Sequence, residues 1–337
     1  MVTPAKLLHR CPHPIYNHGL VPNSSGIEQF GPTKTLYFVN SGGFRDGRIR
    51  FVDPLRQEPR ILLMGDSFAE GVGVPWEETF AGRLAEDLTP RGIEVLNGAV
   101  ASYCPSLVLA RLRFLLKTEK YRVDLVVVFI DISDVEDELT YEAQPDGGYR
   151  SKEASGFANS EFWTRDKKAM DWLEAYLEKN FTLLGALSRN LRQMWRRMGS
   201  PGGTPELKRA TWPDYRGPGE GLIAQGLDKA RKSMDGVLAL VKEHNTRLLV
   251  VIYPWLEQID SGISPSRPET SWKQWCEVNS VPLVNFFPLF LPMGKDYEKK
   301  YCLKGDGHWN SEGHRKVAEV LLPHLEDIMQ DKMDRTK

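Results

Sequence analysis

The stretch Ile61-Leu62-Leu63-Met64-Gly65-Asp66-Ser67-Phe68-Ala69-Glu70-Gly71 decides the fold. Arg60 to Met64 is a short apolar run bounded by polar residues, which predicts a buried strand. Gly65 permits a sharp bend, and a helix is predicted from Thr79 to Leu88. Ser67 would then lie at the carboxyl end of a strand, where ligands bind in open parallel sheets. A serine there is either a turn or helix-cap residue or a nucleophile beside free backbone amides.

Strands and helices alternate along much of the remaining chain. The clearest strand, Asp124–Ile130, is a continuous β-branched run that predicts burial on both faces. Further strands are predicted at Glu94–Leu96, Arg247–Tyr253 and Pro282–Phe286, and helices at Ser106–Lys117, Leu227–Asn245, Ser271–Asn279 and Glu312–Met329. This order predicts a three-layer α/β/α sandwich around a mainly parallel five-stranded sheet with right-handed crossovers.

Two parts of the chain depart from this alternation. Residues 1–57 are rich in Pro, Gly, Asn and Arg, with weak strand signals near 36–39 and 49–52. We predict that they form an extended arm packed on the core. Residues 139–226 interrupt the main domain, residues 58–330, and we predict that they form a helical cap with helices at Phe162–Leu177 and Thr182–Met198.

Composition limits the classes of protein to consider. The chain has 337 residues, of which 41% are hydrophobic, enough for one large domain with appendages. A net charge of −1 favours neither nucleic acid nor a membrane surface as a partner. No apolar run approaches the roughly 20 residues of a spanning helix, and the start of the chain lacks the apolar centre of a signal peptide. We expect a cytoplasmic protein, or one from which a leader or anchor was removed; membrane association is expected only in the second case.

Metal and redox chemistry find little support in the sequence. The four cysteines are widely scattered and form no Cys-x-x-Cys pair. The acidic run Asp131–Glu138 after the central strand suits a solvated loop, a helix N-terminus or a divalent cation. Because no second acidic cluster and no histidine cluster accompanies it, we expect no metal site and no cofactor.

The far end of the chain supplies the partners that a nucleophilic serine requires. Asp306-Gly307-His308-Trp309-Asn310 directly precedes the last predicted helix. A serine nucleophile needs a base, and the base needs an orienting acid. Ser67, His308 and Asp306 are therefore the candidate catalytic residues.

Gly65-Asp66-Ser67 and Asp306-x-His308, in this α/β/α context, resemble the SGNH (GDSL) hydrolase family over roughly residues 58–330. Most of that family spaces its acid and histidine one residue further apart. The motif Asp306-Gly307-His308-Trp309-Asn310-x-x-Gly313-His314 and the turn at 40–45 are similar to the branch that contains alginate and exopolysaccharide O-acetylation proteins. The resemblance implies a flavodoxin-like fold without a cofactor. It also implies that Ser67 is the nucleophile, His308 the general base and then acid, and Asp306 the orienting carboxylate.

The resemblance further implies an oxyanion hole formed by the backbone N–H groups of Ser67 and Ser102. Ser133 occupies the position where the family generally has an asparagine whose side-chain amide completes the hole. Loss of one oxyanion donor costs a factor of about 10² to 10³ in rate. The protein is therefore expected to be a slow esterase, to recruit another donor, or to use its site for something other than hydrolysis.

Five residues are candidates for substrate contact because they flank the motifs: Asp66, Tyr103, Trp309, Phe44 and Arg45. Structural roles are open for three of them. Phe44 can pin the arm, Arg45 can bridge to a carboxylate, and Trp309 can cover the histidine.

Three functions follow from these features. The first is a serine esterase that hydrolyses or transfers an O-acyl group, an O-acetyl group on a carbohydrate above all. The second is a lipid esterase or thioesterase whose helical insertion holds the acyl chain. The third is a catalytically weak glycan-binding or polysaccharide-assembly component. The expected partner is an acylated small molecule or polysaccharide, with no nucleic acid, and the sequence leaves the oligomeric state open.

Overall fold

The computed structural model describes residues 10–30, 33–145, 147–151 and 220–335. The strands are β1 (Arg10–His13), β2 (Asn17–Leu20), β3 (Ser25–Phe30), β4 (Thr33–Val39), β5 (Arg45–Asp46), β6 (Arg60–Met64), β7 (Glu94–Asn97), β8 (Leu125–Ile130), β9 (Tyr141–Ala143), β10 (Tyr149–Ser151), β11 (Arg247–Ile252) and β12 (Leu283–Asn285). The helices are α1 (Ser67–Glu70), α2 (Phe80–Leu88), α3 (Pro105–Arg113), α4 (Ser133–Thr140), α5 (Glu220–Glu243), α6 (Leu256–Ser261), α7 (Arg267–Asn279), α8 (Phe287–Phe290), α9 (Lys295–Tyr301) and α10 (Ser311–Arg335).

One sheet organises the described residues, with the strand order β12-β11-β8-β6-β7-β5-β4-β3. The first five strands in this order run parallel to one another. All six residues of β8 are buried, as its continuous apolar run predicts. The predicted five-stranded parallel sheet is confirmed, and the carboxyl ends of its strands share one edge.

The N-terminal residues extend this sheet instead of only packing on it. β3, β4 and β5 add to it as antiparallel strands, and β5 joins β7 through the single pair Arg45–Asn97. Burial alternates along β4, so one face of this strand belongs to the core. The weak strand signal at 36–39 is confirmed, whereas the one at 49–52 is wrong because those residues form a loop.

Helices cover both faces of the parallel sheet. In β8, Val126, Val128 and Ile130 belong to one apolar cluster, which also contains buried residues of α3, α5 and α7. The intervening residues of β8 belong to a second cluster, with buried residues of α2 and α10. The three-layer α/β/α architecture is therefore confirmed. Within the described ranges, no helix has both the length and the apolar character needed to cross a bilayer.

The chain divides into two units, residues 1–151 with 209–337 and residues 152–208. The predicted cap helices, Phe162–Leu177 and Thr182–Met198, lie outside the described residues, and the cap stays a prediction. On either side of them, the β9–β10 hairpin ends at Ser151 and α5 begins at Glu220.

His314 of α10 links this helix to α2 and makes stability depend on pH. It is fully buried, and its Nδ1 accepts the backbone N–H of Phe80 at 3.3 Å. Burial, and next the charge of Arg45, lowers its pKa from 6.5 to about 3. Because the unfolded chain binds a proton that the folded chain excludes, this contribution to stability is complete above pH 6.5 and is lost as the pH falls.

We predict that the free energy of unfolding falls by on the order of 2 kcal/mol through His314 between pH 7.5 and pH 5. Urea unfolding at both pH values measures this fall. His314→Gln, which keeps an acceptor but does not titrate, should remove most of that part of the pH dependence. His324→Gln, an exposed position on the same helix, is the matched control, and an equal effect from both variants would contradict the prediction.

Candidate active site

Ser67, His308 and Asp306 form a continuous hydrogen-bonded chain. The Oγ atom of Ser67 lies 2.7 Å from Nε2 of His308. Nδ1 of the same ring lies 2.5 Å from Oδ1 of Asp306, which also accepts the backbone N–H of His308 at 2.8 Å. Ser67 and His308 are 241 positions apart in the sequence, so only the fold brings them together. A hydroxyl bonded to an imidazole that a carboxylate orients is the arrangement that activates a serine as a nucleophile.

The end of β6 fixes the position of Ser67. A side-chain carbon at Gly65 would lie 2.9 Å from the Cβ atoms of both Ala69 and Phe129, so the turn requires glycine. The carboxylate of Asp66 then caps α1 by accepting the backbone N–H two residues later at 3.0 Å. Ser67 is therefore the first residue of a short helix, where backbone N–H groups have no intrahelical partner.

The loop before α10 fixes the position of His308. Asn310 accepts the first backbone N–H groups of that helix through its Oδ1 atom. Trp309 is completely buried, and its indole N–H donates to the hydroxyl of Tyr297 at 2.9 Å. Because the residues that follow His308 are anchored in this way, the imidazole is held towards Ser67.

Two phenylalanine rings contact the imidazole of His308. Phe68 stacks on it with ring centroids 4.5 Å apart, and Phe30 of β3 meets it edge-on at 5.2 Å. Burial alone would raise the pKa of Asp306, but the hydrogen bond and charge of His308 hold that pKa below its ordinary value. Asp306 is thus an anion at neutral pH, as an orienting carboxylate must be.

Four of the five predicted substrate contacts are core residues. Tyr103, Trp309, Phe44 and Arg45 are each at most 1% exposed, so the prediction that they contact substrate is corrected. The hydroxyl of Tyr103 donates to the carbonyl of His18 at 2.6 Å. The guanidinium of Arg45 donates to three backbone carbonyls in and just after α1. Arg45 thereby stabilises the end of α1.

Asp66, the fifth, belongs to a buried acidic cluster with Asp131 and Asp134. It accepts the hydroxyl of Tyr253 at 2.9 Å and shares a hydrogen bond with Asp131. Burial, and next the charge of Asp131, raises the pKa of Asp66 and of Asp134 well above their ordinary values. Both shifts favour the neutral forms of Asp66 and Asp134. Asp66 is a capping residue and not a substrate contact.

The two further oxyanion candidates differ in what they offer. Ser102 follows β7, next to β6 in the sheet, and its backbone has φ +65°, a conformation that serine rarely adopts. Ser133 is buried and donates its hydroxyl to Oδ1 of Asp131 at 2.7 Å. Since a hydroxyl has one proton, this arrangement leaves Ser133 none for an oxyanion, and its predicted role is not supported.

Sequence reasoning missed several residues around the site. Phe68 and Glu70 follow Ser67 in α1, and Trp255 follows the carboxyl end of β11, so the strand-end rule would have pointed to them. His18 and Phe30 come from the N-terminal strands, and no local signal marks them. Within the described residues, no group of three or more His, Cys, Asp or Glu side chains is arranged to hold a metal ion.

Comparison with known proteins gives structural similarity at low sequence identity. No protein-family model and no curated protein sequence matches the chain. The acetyl xylan esterase AlAXEase is 15% identical with a TM-score of 0.43, over 79% of this chain and 98% of that one. The acetylxylan esterase Axe2 from Geobacillus stearothermophilus is 13% identical with a TM-score of 0.43, over 81% and 95%.

A member of the lipolytic protein G-D-S-L family from Veillonella parvula is 11% identical with a TM-score of 0.42, over 78% of this chain and 96% of that one. The family that the sequence motifs resemble is therefore represented among these structures. Because these TM-scores are below 0.5, the similarity carries no argument about function. The argument comes from the geometry of Ser67, His308 and Asp306.

Proposed function

We propose that this protein is a carboxylic ester hydrolase that works through an acyl-enzyme on Ser67, and that its substrate is an O-acetyl ester of a carbohydrate. The observation that carries the proposal is the hydrogen-bonded chain Ser67–His308–Asp306, with distances of 2.7 Å and 2.5 Å. Such a chain has little structural value at a half-exposed position, whereas acyl transfer requires it.

In the proposed reaction, Oγ of Ser67 attacks the ester carbonyl carbon while its proton moves to Nε2 of His308. The carbonyl π electrons move to the oxygen, and a tetrahedral oxyanion forms. His308 then gives the proton to the leaving alcohol as the carbon–oxygen bond breaks, and the acyl group stays on Ser67. Water, or a sugar hydroxyl, attacks the acyl-enzyme by the same steps in reverse.

Backbone amides would stabilise the oxyanion. Ser67 begins α1 and Ser102 follows the neighbouring strand, so both N–H groups belong to the same edge of the sheet. The raised pKa values of Asp66 and Asp134 support this role, because they favour the neutral carboxyl, and an uncompensated carboxylate beside a developing oxyanion would oppose the reaction.

The carbohydrate part of the proposal rests on the sequence motif Asp306–His314, which is similar to exopolysaccharide O-acetylation proteins. The half-buried rings of Phe30 and Trp255 flank His308 and Phe68, and they suit the apolar face of a sugar or a short acyl group.

Steady-state hydrolysis of p-nitrophenyl esters from acetate to dodecanoate tests the proposal, together with acetate release from an acetylated polysaccharide. We expect kcat/KM to be highest for acetate. A maximum at long acyl chains would instead favour a lipid esterase or thioesterase. Absence of turnover, with no fluorophosphonate label on Ser67, would contradict the hydrolase proposal.

A second function, glycan binding with weak or no catalysis, is favoured by one observation. The hydroxyl of Ser133 is committed to Asp131, so the donor that the family's asparagine supplies is missing from that position. Isothermal titration with an acetylated oligosaccharide distinguishes the two functions, since binding without acetate release would favour the second.

A further inference from the structure

Two successive peptide units are each held by a residue outside their own loop: Glu70 holds Val100–Ala101, and His18 holds Ala101–Ser102. Nε2 of His18 donates to the carbonyl oxygen of Ala101 at 2.9 Å; a carbonyl oxygen can only accept, so this nitrogen carries the proton. The N–H of Ala101 donates to Oε2 of Glu70 at 2.6 Å. The preceding N–H, that of Val100, donates to the carbonyl of Gly65 at 3.0 Å.

A held carbonyl fixes the direction of the amide beside it. The carbonyl of Ala101 and the N–H of Ser102 belong to one planar trans unit, so they point in opposite directions. When His18 fixes the carbonyl, the N–H of Ser102 is fixed as well.

Ser102 is the third residue of a tight turn, in which the N–H of Tyr103 donates to the carbonyl of Val100 at 3.1 Å. A serine with φ +65° is strained, and such a residue persists where the surroundings over-determine it, often at functional sites. Here the surroundings are His18 and Glu70, and the carbonyl of His18 in turn accepts the hydroxyl of Tyr103 at 2.6 Å.

Glu70 is itself fixed by the N-terminal strands. Its carboxylate is 0% exposed and accepts Arg10 of β1 at 2.5 Å and the hydroxyl of Tyr37 of β4 at 2.6 Å. Burial alone would raise the pKa of Glu70, but the charge of Arg10 and these hydrogen bonds hold it below its ordinary value. The acceptor for the Ala101 N–H is therefore a rigid anion.

We propose that His18 and Glu70 are positioning residues that present the Ser102 N–H to the oxyanion formed on attack by Ser67. The inference rests on the proposed function and deepens it. If so, the N-terminal strands contribute to catalysis by positioning, although none of their residues forms or breaks a bond with the substrate.

Substitutions at His18 test the proposal by p-nitrophenyl acetate kinetics. His18→Leu removes the donor to Ala101, and we expect kcat to fall at least about 10-fold, towards the 10² to 10³ seen when an oxyanion donor is lost. We expect KM to change by less than about 2-fold, because the oxyanion exists only in the transition state. His18→Gln can place an amide N–H where Nε2 lies, and it should keep kcat within about 3-fold of wild type.

His13→Leu is the matched control, since His13 is half-buried on the same arm but stacks on Tyr16 and has no contact with the 101–102 peptide. A trifluoromethyl ketone, which forms a tetrahedral oxyanion with a serine, gives a second readout. Its Ki should rise in His18→Leu by the same factor by which kcat/KM falls. If His18→Leu does not fold, His18→Asn makes the same test, because its shorter amide ends at the position of Nδ1.

Wild-type kcat and Ki in a folded His18→Leu or His18→Asn protein, with Ser67 still labelled by a fluorophosphonate, would overturn the positioning role and leave the hydrolase standing. An equal loss in His18→Gln would also overturn it, because the donor is restored there. A wild-type protein without turnover and without label on Ser67 would overturn both proposals.

Discussion

Ser67→Ala is expected to lower kcat for p-nitrophenyl acetate by about 10⁴- to 10⁶-fold without changing the unfolding temperature. The hydroxyl is the atom that forms the acyl-enzyme, and it makes its hydrogen bond to His308 at a half-buried site. Its removal therefore eliminates the nucleophile and opens no cavity in either apolar cluster.

The measurement combines steady-state kinetics with fluorophosphonate labelling followed by mass spectrometry. The label should appear on Ser67 in the wild type and be absent from the variant. Ser261→Ala, which removes an exposed serine hydroxyl, is the matched control and should behave as wild type. Equal turnover by Ser67→Ala and wild type would remove Ser67 from the mechanism.

Asp306→Asn is expected to lower kcat by about 10³- to 10⁴-fold, because the amide no longer orients the imidazole or stabilises its charged form. Oδ1 of Asp306 accepts both Nδ1 and the backbone N–H of His308, so one substitution disturbs two bonds. The pKa of Asp306 lies below its ordinary value. The carboxylate is charged throughout pH 5 to 9, so the loss of kcat in the variant should persist at every pH in that range.

A pH–rate profile of both proteins from pH 5 to 9 measures this effect. Asp296→Asn, an exposed carboxylate in α9, is the matched control. A loss that disappears within this pH range, or an equal loss in Asp296→Asn, would contradict the orienting role.

The parts of the fold that local pattern encodes were predictable from the sequence. β8 is a continuous apolar run, and such a run has one stable place, the middle of a covered parallel sheet. β5 has two residues and pairs with β7 through one of them, so its existence depends on partners far along the chain. The sequence pattern therefore predicts a packed arm and not a part of the sheet.

The residues of the candidate site also fall into two groups, those that a local motif marks and those that only tertiary contacts bring to the site. The Gly-Asp-Ser and Asp-x-His motifs are recognisable because their residues are close together in the sequence. The structure brings Ser67, His308 and Asp306 together as predicted. Tyr103 and Arg45 are predicted as substrate contacts because aromatic and arginine side chains suit both a binding site and a core, and only packing decides between them. His18 contacts a carbonyl 83 residues away, and no sequence period reports such a contact.

Glu70 lies in α1 but is bonded to residues of the N-terminal strands, and this limits how far the protein can be shortened. A fragment that begins at residue 58 would keep every atom of the proposed chemistry but would lose Arg10 and Tyr37. The carboxylate of Glu70 would lack its counter-ion, at a cost of about 3 to 5 kcal/mol while it stays buried. The exposed margin of β7 would also become a template for aggregation. A minimal version of this protein must therefore keep the strands that carry Arg10 and Tyr37.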